Sequence, residues 1–303
     1  MAAATVVEVE GKELKLSNLD KVLYPKADFT KGDVIDYYTR AAAVLLPHLK
    51  DRPLTLKRYP NGVDGEFFYE KQCPKFRPPW MKTIPIWSER QHKTIEFCSI
   101  DNLAGLVWAA NLADLELHTS LSVGDSLDRP TAVAFDLDPG PSTSIVECCK
   151  VALALRTMFE ELNLDAYPKT SGSKGMQVYL PLNSADTYHQ SKAFAHAVAG
   201  LMEQQMPSLV VSDMKKELRK GKVLIDWSQN DFFKTTVCVY SLRAKDTPTV
   251  STPLTWDEVA ATGESGDPQT LRFSHSQALS RVEEHSDLFA PVLTQQQTLP
   301  NLE

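Results

Sequence analysis

The sequence predicts an α+β (mixed α/β) fold with central β-sheets flanked by helices. Short apolar or alternating runs bounded by Gly and Pro indicate strands, and longer runs with apolar residues at helical spacing indicate helices. The two kinds of run are interspersed along all 303 residues, without an internal repeat or a low-complexity tract. The length is sufficient for one large domain or two small ones.

The N-terminal elements are predicted in chain order from these patterns. The alternating run at 7–19 predicts a hairpin that turns at Gly11, and Thr30 opens a helical run that ends at residue 49. Three segments follow before the next helix: a strand at 53–60, a strand-like aromatic run at 66–71 and a Pro-rich surface loop at 73–90. Residues 99–118 have helical spacing, with Ser99 or Asp101 as the expected N-cap.

The C-terminal half repeats the mixture. A strand at 131–140 precedes a helix that starts at Ser144, where Glu147 completes a capping box. Two further strands are predicted at 176–182 and 222–227. An amphipathic helix is predicted at 187–206, and short helical pieces at 255–260 and 273–286.

Two carboxylates share one face of the strand "TAVAFDLDPG". Val133, Phe135 and Leu137 alternate with polar positions, so Asp136 and Asp138 project from the same side. Two buried like charges raise each other's pKa, and a divalent cation removes that cost because hard cations bind oxygen ligands. Two solvent-facing aspartates at a strand end are the alternative at this point.

A third carboxylate favours the metal interpretation. Asp226 ends the apolar run "KVLID", and three carboxylates on neighbouring strand ends could hold two divalent ions. The loop "SGSKG" (171–175) lies between two predicted strands and offers backbone N–H groups, two hydroxyls and Lys174 to an anion. An ordinary hairpin turn explains this loop equally well.

The charge distribution is uneven. The net charge is −7, and residues 246–303 alone carry nine acids against two bases, so the rest of the chain is neutral. Residues 50–93 hold ten bases and five acids, and residues 215–222 hold five bases and one acid. Such local basic patches favour a polyanionic partner.

The remaining bulk features predict a cytoplasmic protein. The N-terminal residues do not resemble a secretory signal, and no apolar run reaches the length of a membrane span, so no membrane partner is expected. The five cysteines have no zinc-ligand spacing. They are therefore expected to be reduced thiols.

Several motifs together resemble one known family, the polymerase domain of bacterial LigD, in the archaeo-eukaryotic primase superfamily. The resemblance depends on "FDLDPG", "TSGSKGMQVYLPL", "GKVLIDWSQN" and "YSLR", and extends to "NLDKVLYP", "TKGDVIDYY", "LKRYPNGVDG", "FFYEKQ" and "LELH". These motifs occur in the family's order over roughly residues 15–245. The resemblance implies a metal-dependent nucleotidyltransferase of non-homologous end joining, which adds ribonucleotides or deoxyribonucleotides to DNA 3′ ends at breaks and short gaps.

The resemblance also implies roles for individual residues. The implied catalytic and metal-binding residues are Asp136, Asp138 and Asp226. The implied nucleotide-binding residues are Lys57, Phe67, Phe68, His118, Ser171, Lys174, Arg219, Gln229 and Arg243. A pocket for the DNA 5′-phosphate is implied at Asn18, Lys21 and Lys31, and contacts to template or primer at Arg58 and in the loop from Thr83 to Lys93.

Each of these residues also has a structural interpretation. If Phe67 and Phe68 both lie on a strand, they point to opposite faces, so one of them is expected in the core. His118 could be a hydrogen-bonded histidine at a helix end, and Lys21 and Lys31 could be surface lysines. The family usually has His at the position of Gln177, which can donate a hydrogen bond but cannot become cationic. Gln177→His is expected to keep or improve nucleotide affinity.

The implied organisation is a single primase-polymerase-like domain over 1–290, followed by a tail at 291–303. It comprises a DNA-end-binding part (about 1–95), a catalytic core (about 96–250) and a closing segment (251–290). Two Mn2+ or Mg2+ ions per site are the implied cofactors. The implied partners are DNA ends, gapped duplex, NTP or dNTP, Ku, and a DNA ligase that is fused or separate.

Two alternative functions stay open. A phosphatase of the haloacid dehalogenase type also places Asp-x-Asp after an apolar strand, although Gly140 replaces the usual Thr or Val. A DNA-end-binding module without catalysis is the other alternative. Phosphate release without DNA would favour the first, and DNA binding that ignores divalent ions and nucleotide would favour the second.

Overall fold

The computed structural model describes residues 4–300. Its strands are β1 Ala4–Val9, β2 Lys12–Ser17, β3 Val22–Tyr24, β4 Phe29–Thr30, β5 Leu54–Arg58, β6 Phe68–Glu70, β7 Lys82–Ser88, β8 Lys93–Ser99, β9 Asp114–Thr119, β10 Ala132–Pro139, β11 Tyr167–Thr170, β12 Met176–Pro181, β13 Val210–Val211, β14 Val223–Asp226, β15 Thr236–Val237, β16 Leu242–Arg243 and β17 Thr249–Val250. Its helices are α1 Lys31–Leu49, α2 Leu103–Asn111, α3 Ile145–Glu161, α4 Tyr188–Gln205, α5 Trp256–Ser265, α6 His275–His285 and α7 Pro291–Thr294. The mixed α/β class is confirmed.

The chain forms two compact units, each assembled from separated segments. The first unit comprises 4–120, 235–250 and 274–286, and the second comprises 121–234, 251–273 and 287–300. These boundaries differ from the predicted functional division at about residues 95 and 250, which stays a prediction. The predicted tail includes α7, and its last three residues lie outside the described part of the chain.

The second unit is built on a five-stranded sheet in the order β11-β12-β10-β14-β13. Only the β13–β14 pair is parallel. Val133, Phe135 and Leu137 of β10 are fully buried in a core that includes apolar residues of α3 and α4. Because side chains alternate along a strand, Asp136 and Asp138 project from the opposite face of β10.

The first unit is built on a six-stranded sheet. The order is β15-β9-β5-β8-β7, and β6 pairs with β5 over Leu56–Arg58. The core of this unit includes Tyr37 and Tyr38 of α1, whose hydroxyls donate to the carbonyl oxygens of Tyr240 and Leu115 at 2.7 and 2.9 Å. These bonds satisfy polar groups that burial would otherwise leave without partners.

Side-chain caps define the starts of the long helices. The predicted starts at Thr30 and Ser144 are confirmed, and both residues form complete capping boxes, with Asp33 and Glu147. Capping boxes also open α4, α5 and α6. Each box satisfies backbone N–H groups that have no partner within the helix.

Two predicted elements differ from the structure. The surface loop predicted at 73–90 contains β7, which pairs with β8 along its whole length. Pro85 is tolerated because β7 is the last strand of its sheet path. The helix predicted at 99–118 is shorter in the structure, where it comprises only α2, and Asn102 is its N-cap instead of Ser99 or Asp101. The helix ends early because Ala113 takes a left-handed conformation (φ 56°) and the chain continues as β9.

The prediction that all cysteines are reduced thiols is wrong for two of them. Cys73 and Cys98 form a disulfide. The backbone N–H of Cys73 donates to the Glu96 carbonyl at 2.6 Å, which holds the loop beside β8 and its cysteine. The other three cysteines are buried and lie outside this disulfide. Among residues 4–300, no helix is both long and apolar enough to span a membrane.

Candidate active site

The three predicted carboxylates meet on one face of the second unit's sheet. Asp136 of β10 lies directly opposite Asp226 of β14 in the strand register, and Asp138 follows on the same face of β10. Asp136 and Asp226 are half-buried, whereas Asp138 is exposed. The register therefore brings together acidic groups that are about 90 residues apart in the chain.

Hydrogen bonds orient two of these carboxylates. Gln177 Nε2 donates to Asp136 Oδ1 at 3.1 Å. Asp226 Oδ1 accepts from the backbone N–H and hydroxyl of Ser228 at 3.0 and 2.6 Å, and Gln229 Nε2 donates to Asp226 Oδ2 at 2.9 Å. Gln229, predicted to bind nucleotide, therefore lies beside a catalytic candidate.

Negative charge is concentrated in this cluster. Burial raises the pKa of Asp136 to about 7, and the charges of Asp138 and Asp226 add to the effect. A divalent cation would relieve this repulsion, and carboxylate oxygens are the ligands that Mg2+ and Mn2+ prefer. As the side chains stand, no three His, Cys, Asp or Glu groups within residues 4–300 form a ready metal site. In chemical type and charge, the carboxylate donors match a divalent cation.

The SGSKG loop joins β11 and β12 beside this cluster. Ser171 Oγ accepts from the backbone N–H groups of Ser173 and Gly175, both at 3.3 Å, and Gly172 takes a left-handed conformation (φ 67°). A Cβ at Gly175 would lie 2.1 Å from the Leu137 carbonyl oxygen, so the loop contacts β10 directly. Lys174 is exposed at the loop tip.

The basic segment 215–222 contacts the end of β10. The Gly140 N–H donates to the Lys222 carbonyl at 2.9 Å, and a Cβ at Gly140 would lie 1.8 Å from the Arg219 carbonyl oxygen. Arg219 Nη2 donates to the Met214 carbonyl at 2.5 Å, which orients the guanidinium. Basic groups of the loop and of this segment therefore lie near the acidic groups of β10 and β14.

A separate charged cluster forms in the first unit around Glu116 of β9. Lys57 Nζ, His118 Nε2 and Arg243 Nε lie 3.1, 3.0 and 3.3 Å from Glu116 Oε2. Burial would raise the pKa of Glu116, but its bond to His118 and the charges of Arg243 and Lys57 hold it well below the usual range. Burial lowers the pKa of His118. Three predicted nucleotide-binding residues therefore share one carboxylate that the prediction omitted.

Aromatic rings surround Lys57 in the same unit. Its Nζ lies 4.7 Å from the ring centre of Phe67 and 5.3 and 5.4 Å from those of Tyr59 and Tyr69. The ring of Tyr69 also meets His118 edge-on at 5.9 Å. The sequence prediction missed both tyrosines, although the alternation in "FFYEK" places Phe67 and Tyr69 on one side. This set of Lys57, Glu116, His118, Arg243 and the three rings is called the cation–aromatic cluster.

The expectation that Phe67 or Phe68 belongs to the core is wrong. Phe67 precedes β6, and the two side chains are 50% and 42% exposed. The Arg58 guanidinium lies 5.1 Å from the ring centre of Phe68 and donates to Glu70 Oε2 at 2.8 Å. Arg58, predicted to contact template or primer, is therefore paired with an acid. The predicted DNA-contacting loop (83–93) is the β7–β8 hairpin.

The three residues predicted to bind a 5′-phosphate lie together in the first unit. The Lys21 N–H donates to the Asn18 carbonyl, and the Lys31 N–H donates to the Lys21 carbonyl, at 3.1 and 2.8 Å. Lys31 is only 5% exposed, and its Nζ donates to the Asn111 carbonyl at 3.0 Å. Burial and the charge of Lys21 lower the pKa of Lys31. Binding of an anion would relieve the repulsion between these two lysines. The hydrogen bond from Lys31 to Asn111 gives Lys31 a structural role as well.

Comparison with known proteins places these features in one family. The family model of the LigD primase-polymerase domain matches residues 30–289. The multifunctional non-homologous end joining protein LigD of Mycolicibacterium smegmatis is 41% identical over 285 residues, which cover 93% of this chain and 36% of that protein. The bifunctional LigD of Bacillus subtilis is 32% identical and aligns with 82% of this chain and 39% of its own length. The chain thus spans little more than a third of these relatives.

A solved structure matches the fold. The polymerase domain of Mycobacterium tuberculosis Ligase D, solved in complex with DNA, superposes with a TM-score of 0.85 at 38% identity. The match covers 94% of this chain and 99% of that one.

Proposed function

The chain belongs to the LigD primase-polymerase family, and from this premise we propose that it is a metal-dependent polymerase that extends DNA 3′ ends at breaks and short gaps. The observation that carries the proposal is the register that sets Asp136 opposite Asp226, with Asp138 on the same face. The basic segment and the SGSKG loop that contact β10 supply the complementary positive groups for a triphosphate.

The three carboxylates have distinct roles in this proposal. Asp136 and Asp138 would hold both divalent ions, and Asp226 would hold the ion nearer the attacking hydroxyl. When bound, such ions neutralise phosphate charge and lower the pKa of that hydroxyl. Gln177, Ser228 and Gln229 keep two of the carboxylates in fixed orientations. The primer 3′ hydroxyl attacks the α-phosphate, and pyrophosphate leaves.

Other groups of the second unit would bind the nucleotide's phosphates. Lys174 supplies charge at the tip of the SGSKG loop, and Ser171 holds that loop closed. Arg219 and Gln229 lie on segments that contact β10 and Asp226. Removing Lys174 should therefore raise the KM for nucleotide more than it lowers kcat.

In the first unit, the cation–aromatic cluster would bind nucleotide or DNA. Glu116 orients Lys57, His118 and Arg243, and the exposed rings of Phe67, Phe68 and Tyr69 offer faces on which bases stack. Asn18, Lys21 and Lys31 would recognise a downstream 5′-phosphate. Ku, a ligase and a nucleoid-associated cytoplasmic location remain part of the proposal, on the resemblance alone.

Primer extension on gapped duplex DNA tests the proposed function. The gap should carry either a 5′-phosphate or a 5′-hydroxyl, with ribonucleotides or deoxyribonucleotides and with Mn2+ or Mg2+. We expect extension that requires a divalent ion, is fastest with Mn2+ and ribonucleotides, and improves with the 5′-phosphate.

Two results would contradict the proposal. Release of phosphate from small phosphate esters, without DNA and without extension, would favour the phosphatase alternative. DNA binding that is indifferent to divalent ions and nucleotide, with no extension on any substrate, would favour a non-catalytic module.

A further inference from the structure

A single lateral row of polar side chains crosses four strands of the second unit. Lys169 of β11 lies opposite Gln177 of β12, Gln177 lies opposite Asp136 of β10, and Asp136 lies opposite Asp226 of β14. Residues directly opposite one another in an antiparallel pair project from the same face. The four side chains therefore form one continuous row, called the polar row below.

The row ends in a buried cation. Lys169 is 1% exposed and Gln177 is 3% exposed. Lys169 Nζ donates to Ser251 Oγ at 2.8 Å and lies 5.6 Å from the ring centre of Tyr179. Burying an ammonium group is costly unless charge or hydrogen bonds compensate for it. A lysine that serves only packing would not need its charge at this depth.

Gln177 lies between the cation and the acidic side of the row. Its Nε2 donates to Asp136 Oδ1, while its Oε1 is buried and accepts no hydrogen bond. The positive end of the amide dipole therefore points towards the Asp136 carboxylate. Strand β12 separates Lys169 on β11 from Asp136 on β10, so their backbones are about 10 Å apart. Charges in a buried site interact over this distance. The charge of Lys169 also opposes the rise in the pKa of Asp136.

We propose that Lys169 is the resident counter-charge of the carboxylate cluster, a positioning residue that acts across Gln177 and allows Asp136 and Asp226 to stand opposite each other before any metal binds. The inference rests on the proposed function in one respect, namely that a divalent ion later shares this neutralising role. It predicts that Lys169 and Asp136 are energetically coupled although Gln177 separates them.

A double-mutant cycle without metal tests the coupling. Thermal unfolding in EDTA compares the full-length wild type with Lys169→Met, Asp136→Asn and the double variant. We expect Lys169→Met to lower the midpoint by about 5 °C or more, because it leaves the carboxylates uncompensated. In the Asp136→Asn background the same substitution should cost less than half as much, since one negative charge is gone.

Two matched variants control for packing. Lys169→Arg keeps the charge and should retain most of the midpoint, whereas Lys150→Met removes an exposed lysine of α3 and should not shift it. Equal losses for Lys169→Met in both backgrounds would overturn the inference. If Lys169→Met does not fold alone, a folded double variant supports the inference, and an unfolded double variant overturns it.

Mn2+ provides a second readout that separates this inference from the proposed function. Saturating MnCl2 should raise the midpoint of Lys169→Met more than that of the wild type, because the added cation replaces the lost charge. An equal or smaller rise in the variant contradicts the inference. A wild type that Mn2+ does not stabilise contradicts the proposed metal site, while the cycle in EDTA still decides the role of Lys169.

Discussion

The two charged clusters of this chain are built on opposite electrostatic principles. In the second unit, three carboxylates crowd one sheet face, and burial with the neighbouring charges raises the pKa of Asp136 to about 7. In the first unit, one buried carboxylate, Glu116, is shared by Lys57, His118 and Arg243. The first arrangement is short of positive charge and the second is rich in it.

This difference indicates what each cluster can bind. A cluster of three carboxylates favours divalent cations, which bind oxygen ligands. A cluster in which cations outnumber acids, bordered by exposed rings, favours nucleotides and nucleic acid. The same substitution, carboxylate to amide, should therefore affect the free energy of unfolding differently in the two units.

The largest expected effect is on catalysis at the acidic cluster. Asp136→Asn should lower the rate of nucleotide addition by about 10³-fold or more, because an amide cannot replace the carboxylate as a ligand. The control is Asp257→Asn, an exposed acid of α5 in the same unit, which should extend primers at the wild-type rate. Primer extension with Mn2+ measures both. Near-normal extension by Asp136→Asn would place the chemistry elsewhere.

The next effect is on stability at the balanced cluster. Glu116→Gln should lower the free energy of unfolding by about 3–5 kcal/mol, since it leaves Lys57 and Arg243 without their shared counterion. Asp136→Asn, which removes a carboxylate from a crowded site, should not lower it. Urea denaturation at pH 7 without metal compares the two variants. Equal losses would erase the contrast between the clusters.

The effect of Glu116→Gln should also depend on pH. The pKa of Glu116 is lower in the folded chain than in the unfolded one, so its stabilisation is fully present above the ordinary carboxyl pKa of about 4.3. That stabilisation is lost as the pH falls towards the folded value. The difference in urea midpoint between wild type and variant should shrink from pH 7 to pH 3. A difference that stays constant over this range would argue against a charged Glu116.

The smallest expected effect is on base stacking. Tyr69 is 57% exposed, and Tyr69→Ala should weaken binding of single-stranded DNA or nucleotide by about 1–3 kcal/mol with little change in stability. Phe76→Ala removes another exposed ring of the same unit, outside the cation–aromatic cluster, and serves as the control. Fluorescence anisotropy measures both. Equal losses in the two variants would mean that the cluster has no special role in stacking.

Local signals in the sequence were sufficient for much of the second unit. Alternation predicted that Asp136 and Asp138 share a face, and the end of an apolar run predicted a strand at Asp226. The caps at Thr30 and Ser144 follow from short-range hydrogen bonding, which a few residues determine.

Features that depend on distant pairing were not predictable. The register of Asp136 with Asp226, and the disulfide of Cys73 with Cys98, arise only when separate strands and loops meet. Strand β7 was missed because the Pro-rich composition of residues 73–90 suggested a loop, whereas pairing with β8 overrides that local preference. Glu116 was missed because two of its partners, Lys57 and Arg243, come from distant parts of the chain.

The central claim is that the carboxylates on one face of the paired strands β10 and β14 bind a divalent cation. Calorimetric titration with Mn2+ tests this claim most directly. We predict saturable binding by the wild type and by Glu116→Gln, and loss of that binding in Asp136→Asn. Binding by Asp136→Asn that equals that of the wild type, or no binding by the wild type, would contradict the account.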